Sequence, residues 1–130
     1  MRLQLALNVS NLDQAVSYYS RLFGAQPHKL RPGYANFALD EPPLKLVLFE
    51  NPAASERINH LGVEVFDKPD LDKAVERLQT NGLADTVRAT GVCCHAEQDK
   101  IWSVGPDGER WEWYQIVDDA PKTQSAACCV

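Results

Sequence analysis

Two stretches of the 130-residue chain share one pattern, QLALNV at 4–9 and HLGVEV at 60–65. Each opens on a residue able to bind a metal and then alternates apolar with other residues. Each is followed by nearly the same helix start, LDQAV at 12–16 and LDKAV at 71–75, and both helical stretches run to a glycine, Gly24 or Gly82. The ends of the halves also align, LKLVLFE at 44–50 with ERWEWYQ at 109–115. A repeat more than fifty residues long, made of strand, helix and three strands, is two copies of one supersecondary unit. It predicts an α+β fold of two βαβββ modules, about 2–51 and 58–118, forming one domain over 1–118. NPAASER at 51–57 links the modules, and 119–130 reads as a loosely ordered tail.

Period-two alternation assigns the strand faces. In 3–9, Leu3, Leu5, Leu7 and Val9 share one face, with Gln4, Ala6 and Asn8 on the other. In 60–65, Leu61, Val63 and Val65 oppose His60, Gly62 and Glu64, and in the last strand Trp111 and Trp113 oppose Glu112 and Tyr114. A helix over about 11–23 carries Leu12, Ala15, Val16, Tyr19, Leu22 and Phe23 at helical spacing, with Asn11 as its N-cap and Gln14 three residues on. A second, over about 69–81, has Pro69 in its first turn and Leu71, Ala74, Val75 and Leu78 on one face. The apolar strand faces are expected to bury against these helices. The faces with Gln4, His60 and Glu112 are then left to line a cavity. Pro42-Pro43 and Pro106-Asp107-Gly108 are turn signals before the last strand of each half.

The remaining composition narrows the function class. A net charge of -5 argues against nucleic-acid binding. No apolar run is long enough for a membrane helix, and the N-terminal stretch turns polar too soon for a signal peptide. The expected location is the cytoplasm. The four cysteines form two adjacent pairs, Cys93-Cys94 and Cys128-Cys129. A disulfide scaffold would spread them out, so both pairs are expected as dithiols in a reducing compartment. Neighbouring side chains of an extended strand point to opposite faces. The sulfurs of Cys93 and Cys94 therefore converge only if the chain turns there, which Gly91 permits. A converged thiol pair binds soft, thiophilic elements.

The βαβββ duplication, QLALNVSNLDQAVSYYSRLFG, His60-Leu61-Gly62 and the closing GPDGERWEWYQ together resemble the vicinal oxygen chelate superfamily over about residues 2–118. That superfamily includes glyoxalase I, extradiol dioxygenases, fosfomycin-resistance enzymes and bleomycin-binding proteins. The resemblance implies a half-barrel cleft whose metal ligands come from the first and last strands of the modules. Carried over, these fall on Gln4, His60 and Glu112, and the fourth place falls on Val47, which cannot bind a metal. One amide, one imidazole and one carboxylate resemble the facial triad of non-heme iron(II) oxygenases, with open positions for substrate and dioxygen. Taken alone, a histidine at a strand start, a glutamate between tryptophans or a single glutamine is more often structural. The repeat-related placement of all three favours a metal site.

With the cysteine pair, the Gln/His/Glu set and the stretch RPGYANFALDEPPLKLVLFENP, the resemblance narrows to the iron(II)-dependent carbon–arsenic lyases. It implies that Cys93 and Cys94 capture a trivalent organoarsenical, methyl or aromatic, as a dithiolate. Their loop brings it to the metal centre, and dioxygen serves as co-substrate for C–As cleavage to arsenite. No catalytic residue beyond the metal centre is implied. Lys100 is a substrate-site candidate that lowers a thiol pKa or orients an anionic substituent, or else is a solvated lysine in a hairpin turn. His95 is either part of that site or a loop residue without a role. Tyr114 either supports Glu112 or fills the core, and Trp102, Trp111 and Trp113 read as core or cavity wall. Cys128-Cys129 reads as a pre-capture pair or merely an exposed one. The competing readings are a glyoxalase-I-like or thiol-transferase metalloenzyme and a non-catalytic binder of arsenic, cadmium or an antibiotic. The expected partner is a small molecule, and the expected state is monomer or homodimer.

Overall fold

The computed structural model describes residues 1–93 and 95–121, and of Cys93 the backbone alone. Cys94, Cys128 and Cys129 therefore lie outside the described residues, as does most of the expected tail. The chain divides into two compact units, Arg2–Leu61 and Gly62 onward with Met1. The division falls inside β5 (Ile58–Val65), the strand expected to open the second module.

The first unit contains β1 (Arg2–Val9), α1 (Leu12–Phe23), β2 (Lys29–Arg31), β3 (Tyr34–Asp40), β4 (Pro43–Glu50) and the first half of β5. Its strands hydrogen-bond in the order β2-β3-β4-β1-β5, with β1 and β4 parallel. The second unit contains the rest of β5, α2 (Lys68–Thr80), β6 (Ala89–Cys93), β7 (Ala96–Val104) and β8 (Arg110–Asp118). Its strands run in the order β5-β8-β7-β6. Each module thus repeats one arrangement, in which the last strand returns beside the first. A duplicated sequence gives a duplicated topology because each copy has the same apolar faces to cover. Among the described residues, no helix is long and apolar enough to cross a membrane.

The helix ends follow the sequence signals. Asn11 accepts the Gln14 N–H at 2.9 Å as the N-cap of α1, and Glu50 accepts the Leu12 N–H at 2.8 Å, placing an anion at the positive end of the helix. Gly24 closes α1 at φ 63, the left-handed conformation that costs glycine least. In α2, Asp67 is the N-cap and Pro69 lies in the first turn. Each helix packs on the strands of its own unit. Leu12 of α1 joins Phe37, Leu39, Leu46 and Leu48, and Leu71, Val75 and Leu78 of α2 join Val63, Val65 and Ile101. Phe37 and Leu71 are fully buried. Truncating either leaves a cavity, so Phe37→Ala and Leu71→Ala are each expected to cost about 2–5 kcal/mol in urea unfolding.

The strand faces depart from expectation in degree. On β1 the predicted core residues Leu5, Leu7 and Val9 are only partly buried, and Leu3 is 58% exposed. Gln4, Ala6 and Asn8, on the face expected to line a cavity, are buried. On β8, likewise, Glu112 and Tyr114 are buried while Trp111 and Trp113 are half-buried. The physical reason is coverage. One helix per module cannot roof four strands, whereas the opposite face carries large polar and aromatic groups that fill it. In the first unit these include Lys29, Tyr34, Asn36 and Lys45, all buried.

Candidate functional site

In the first unit, the Gln4 amide meets the His60 imidazole, Nε2 to Nε2, at 3.1 Å. Both side chains are buried. A chain of hydrogen bonds fixes the tautomer of that imidazole. It starts at the backbone carbonyl of Glu56, which can only accept, and takes the Asn8 Nδ2–H at 3.0 Å. The Asn8 Oδ1 therefore faces Asn59 and accepts its Nδ2–H at 3.1 Å. Asn59 then presents its Oδ1 to His60 Nδ1 at 2.8 Å. An oxygen acceptor there requires the proton on Nδ1, so Nε2 carries the lone pair and accepts from Gln4.

This arrangement suits a metal. Metal-bound histidines commonly donate their other ring N–H to an oxygen that fixes tautomer and orientation. Asn59 is placed to fill that role were His60 to bind a metal, and Asn8 holds Asn59. A half-turn of the Gln4 amide about its terminal torsion would present its oxygen in place of its nitrogen. Asn59→Leu removes the acceptor for Nδ1–H and is expected to weaken metal affinity about 10–100-fold. Equilibrium dialysis against cobalt(II) or iron(II) reads that loss.

In the second unit, Glu112 lies on β8 and accepts from Lys100 Nζ at 2.7 Å through its Oε2. Both are buried. The β7–β8 register places Lys100 opposite Tyr114 and Trp102 opposite Glu112, so the ion pair runs diagonally across one face of the sheet. The ammonium also lies 5.5 Å from the Trp102 ring centroid and 5.7 Å from that of Tyr114. The alternative of a solvated lysine in a hairpin turn is thereby corrected. Lys100 sits within β7 because it alternates with Gln98 and Trp102 on the inward face. Such a lysine breaks the apolar signal that would have marked the position as interior.

A cleft of about 330 Å³ opens on this face, lined by Ala89 and Gly91 of β6, by Gln98, Lys100 and Trp102 of β7, and by the 86–87 segment. The β6 wall is exposed to solvent. The 85–88 segment is pinned to β7: Asp85 N–H donates to the Trp102 carbonyl, Trp102 N–H donates to Thr86 Oγ1, and Arg88 donates to Asp99. Arg88 also bonds Asp72 of α2, and this hydrogen bond first, then that from Lys68, holds the Asp72 carboxyl below its ordinary value of 3.8. The two aspartates together raise the Arg88 pKa, Asp99 most.

The β6–β7 register pairs Ala89 with Lys100, Gly91 with Gln98 and Cys93 with Ala96. Cys93 thus ends the strand that walls the cleft, two residues beyond Gly91, and the next described residue, His95, has φ 67. Val47, at the fourth-ligand place, is buried and pairs with Ala6 and Asn36. Among the described residues, no three His, Cys, Asp or Glu side chains gather at one point. The expected set relies on an amide for its third donor. Sequence reasoning missed Asn59, whose only signal is its place beside His60. It placed Asn8 on the Gln4 face without a role.

Comparison with known proteins agrees with this architecture. The family model of the Glyoxalase/Bleomycin resistance protein/Dioxygenase superfamily matches residues 3–113. The chain is 51% identical over 119 residues to the cadmium-induced protein CadI of Mycobacterium tuberculosis, covering 92% of this chain and 78% of that one. It is 49% identical over 132 residues to a trivalent organoarsenical cleaving enzyme of Thermomonospora curvata, covering 98% and 87%. Among solved structures, a Mn(II)-bound glyoxalase from Novosphingobium aromaticivorans shares the fold at 17% identity and a TM-score of 0.65, covering 94% of this chain and 41% of that one. The chain belongs to the glyoxalase/bleomycin resistance protein/dioxygenase superfamily.

Proposed function

We propose that this protein is an iron(II)-dependent dioxygenase that cleaves the carbon–arsenic bond of trivalent organoarsenicals and releases arsenite. The observation that carries the reading is the cleft. It lies against Lys100, whose partner is the proposed ligand Glu112, and it is walled by the strand that ends at Cys93. The 49% identity to a trivalent organoarsenical cleaving enzyme supports the same substrate class.

In this reading the Cys93 and Cys94 thiols replace two hydroxyls on the arsenic and release two waters. Covalent capture turns a bimolecular encounter into an intramolecular one, which removes a large part of the barrier. Gln4, His60 and Glu112 are the residues that would hold the metal. Asn59 keeps the lone pair of His60 on Nε2, and Lys100 binds one carboxylate oxygen of Glu112. The Trp102 ring flanks the organic substituent. Iron(II) held by Gln4, His60 and Glu112 would supply dioxygen activation.

Val47 in the fourth-ligand place disfavours a four-ligand glyoxalase-I-like centre. A second reading, which the cysteine pair also allows, is a thiol-based binder without turnover. Arsenite release from a trivalent methylarsenical, with iron(II), in air and under argon, separates them. The dioxygenase releases arsenite in air only. Equal release under argon contradicts the oxygen requirement, and no release in either gas favours the binder.

A further inference from the structure

We infer that Gly91 is the specificity-determining position of this cleft: the missing side chain keeps room for an arsenic substituent larger than methyl. The inference rests on the organoarsenical reading above and adds to it the residue that sets substituent size.

An arsenical captured at the end of β6 must direct its carbon substituent somewhere. Gly91 lies two residues back along β6, about 7 Å by strand geometry, and lines the cleft. It pairs with Gln98, two register steps from the Ala89–Lys100 pair, and all four residues line the same cleft. A volume of about 330 Å³ is at the small end of ligand sites and far exceeds the needs of one methyl group. Trp102 supplies an aromatic wall, suited to an aryl ring.

Gly91 need not be glycine for the sake of the backbone. The glycines at positive φ are Gly24, Gly33, Gly82 and Gly108, and Gly91 is not among them. A Cβ built there meets no atom within 4 Å. Glycine also weakens a strand interior. A larger residue is therefore tolerated by the fold, and its cost falls on whatever occupies the cleft.

The test compares the wild type with Gly91→Leu on a trivalent phenylarsenical and on methylarsenite. Two readouts are used: arsenite release by the iron-loaded protein, and capture by the metal-free protein, followed through tryptophan fluorescence. In Gly91→Leu, phenylarsenical capture and cleavage are expected to fall about tenfold or more, with methylarsenite changed by less than about threefold. Equal losses for both substrates, or no loss for either, overturn the inference. Should Gly91→Leu fail to show a cooperative melt, Ala89→Leu, opposite Lys100, is judged by the same outcomes. A wild type that releases no arsenite from either substrate sinks the lyase reading alone, because the capture ratio still judges Gly91.

Discussion

Glu112→Gln is expected to lower arsenite release more than about 100-fold, beyond the usual cost of removing a supporting contact around a metal ligand. The substitution keeps the shape of the side chain and an oxygen that accepts from Lys100, so one buried hydrogen bond is retained although the ammonium loses its counter-charge. It removes the one anionic donor of the proposed set. Capture of the arsenical by the thiols should persist, because Cys93 belongs to a different strand. Fluorescence titration with methylarsenite, set beside arsenite release, separates the two effects. Cys93→Ser gives the complementary result, loss of capture and turnover together. Unchanged turnover in Glu112→Gln would reduce Glu112 to a structural partner of Lys100.

Lys100→Met is expected to destabilise the metal-free protein by about 3–5 kcal/mol, the range for removing one partner of a buried ion pair. The Lys100 side chain is 11% exposed and that of Glu112 4%, so solvent cannot replace the lost ammonium. The carboxylate, deprived of its ammonium, then carries the cost. Replacing both partners, as Lys100→Met with Glu112→Leu, should recover most of the stability, since neither charge remains to be desolvated. A divalent metal should restore the single variant more than it stabilises the wild type, by binding the folded state alone. Urea unfolding with and without cobalt(II) measures both. A loss under about 1 kcal/mol, the worth of a surface pair, would show that water reaches the carboxylate.

Much of the architecture was legible because it was written twice. The matching LDQAV and LDKAV starts and the aligned closing strands predicted two modules, and Asn11 and Pro69 marked the helix starts where they occur. The proposed ligands Gln4, His60 and Glu112 came from the family resemblance, with their repeat-related places as support. Less legible was which strand face is buried deeper. Gln4, Asn8, Lys100 and Glu112 all occupy interior positions. A pattern rule that equates interior with apolar turns such faces outward. The partner of Lys100 was hidden for another reason. It depends on the register of β7 against β8, which places residues 100 and 112 diagonally, and sequence spacing alone does not fix a register. The Asn8–Asn59–His60 relay likewise depends on the contact of β1 with β5, far apart in the chain.

The central claim is a single metal centre built from an amide, an imidazole and a carboxylate. Anaerobic equilibrium dialysis against iron(II) tests it most directly, on the wild type and on Gln4→Ala, His60→Ala and Glu112→Gln. One iron per wild-type chain, with affinity reduced in all three variants and most in the histidine and glutamate ones, is the predicted result. Undiminished iron binding after His60→Ala and Glu112→Gln would contradict it.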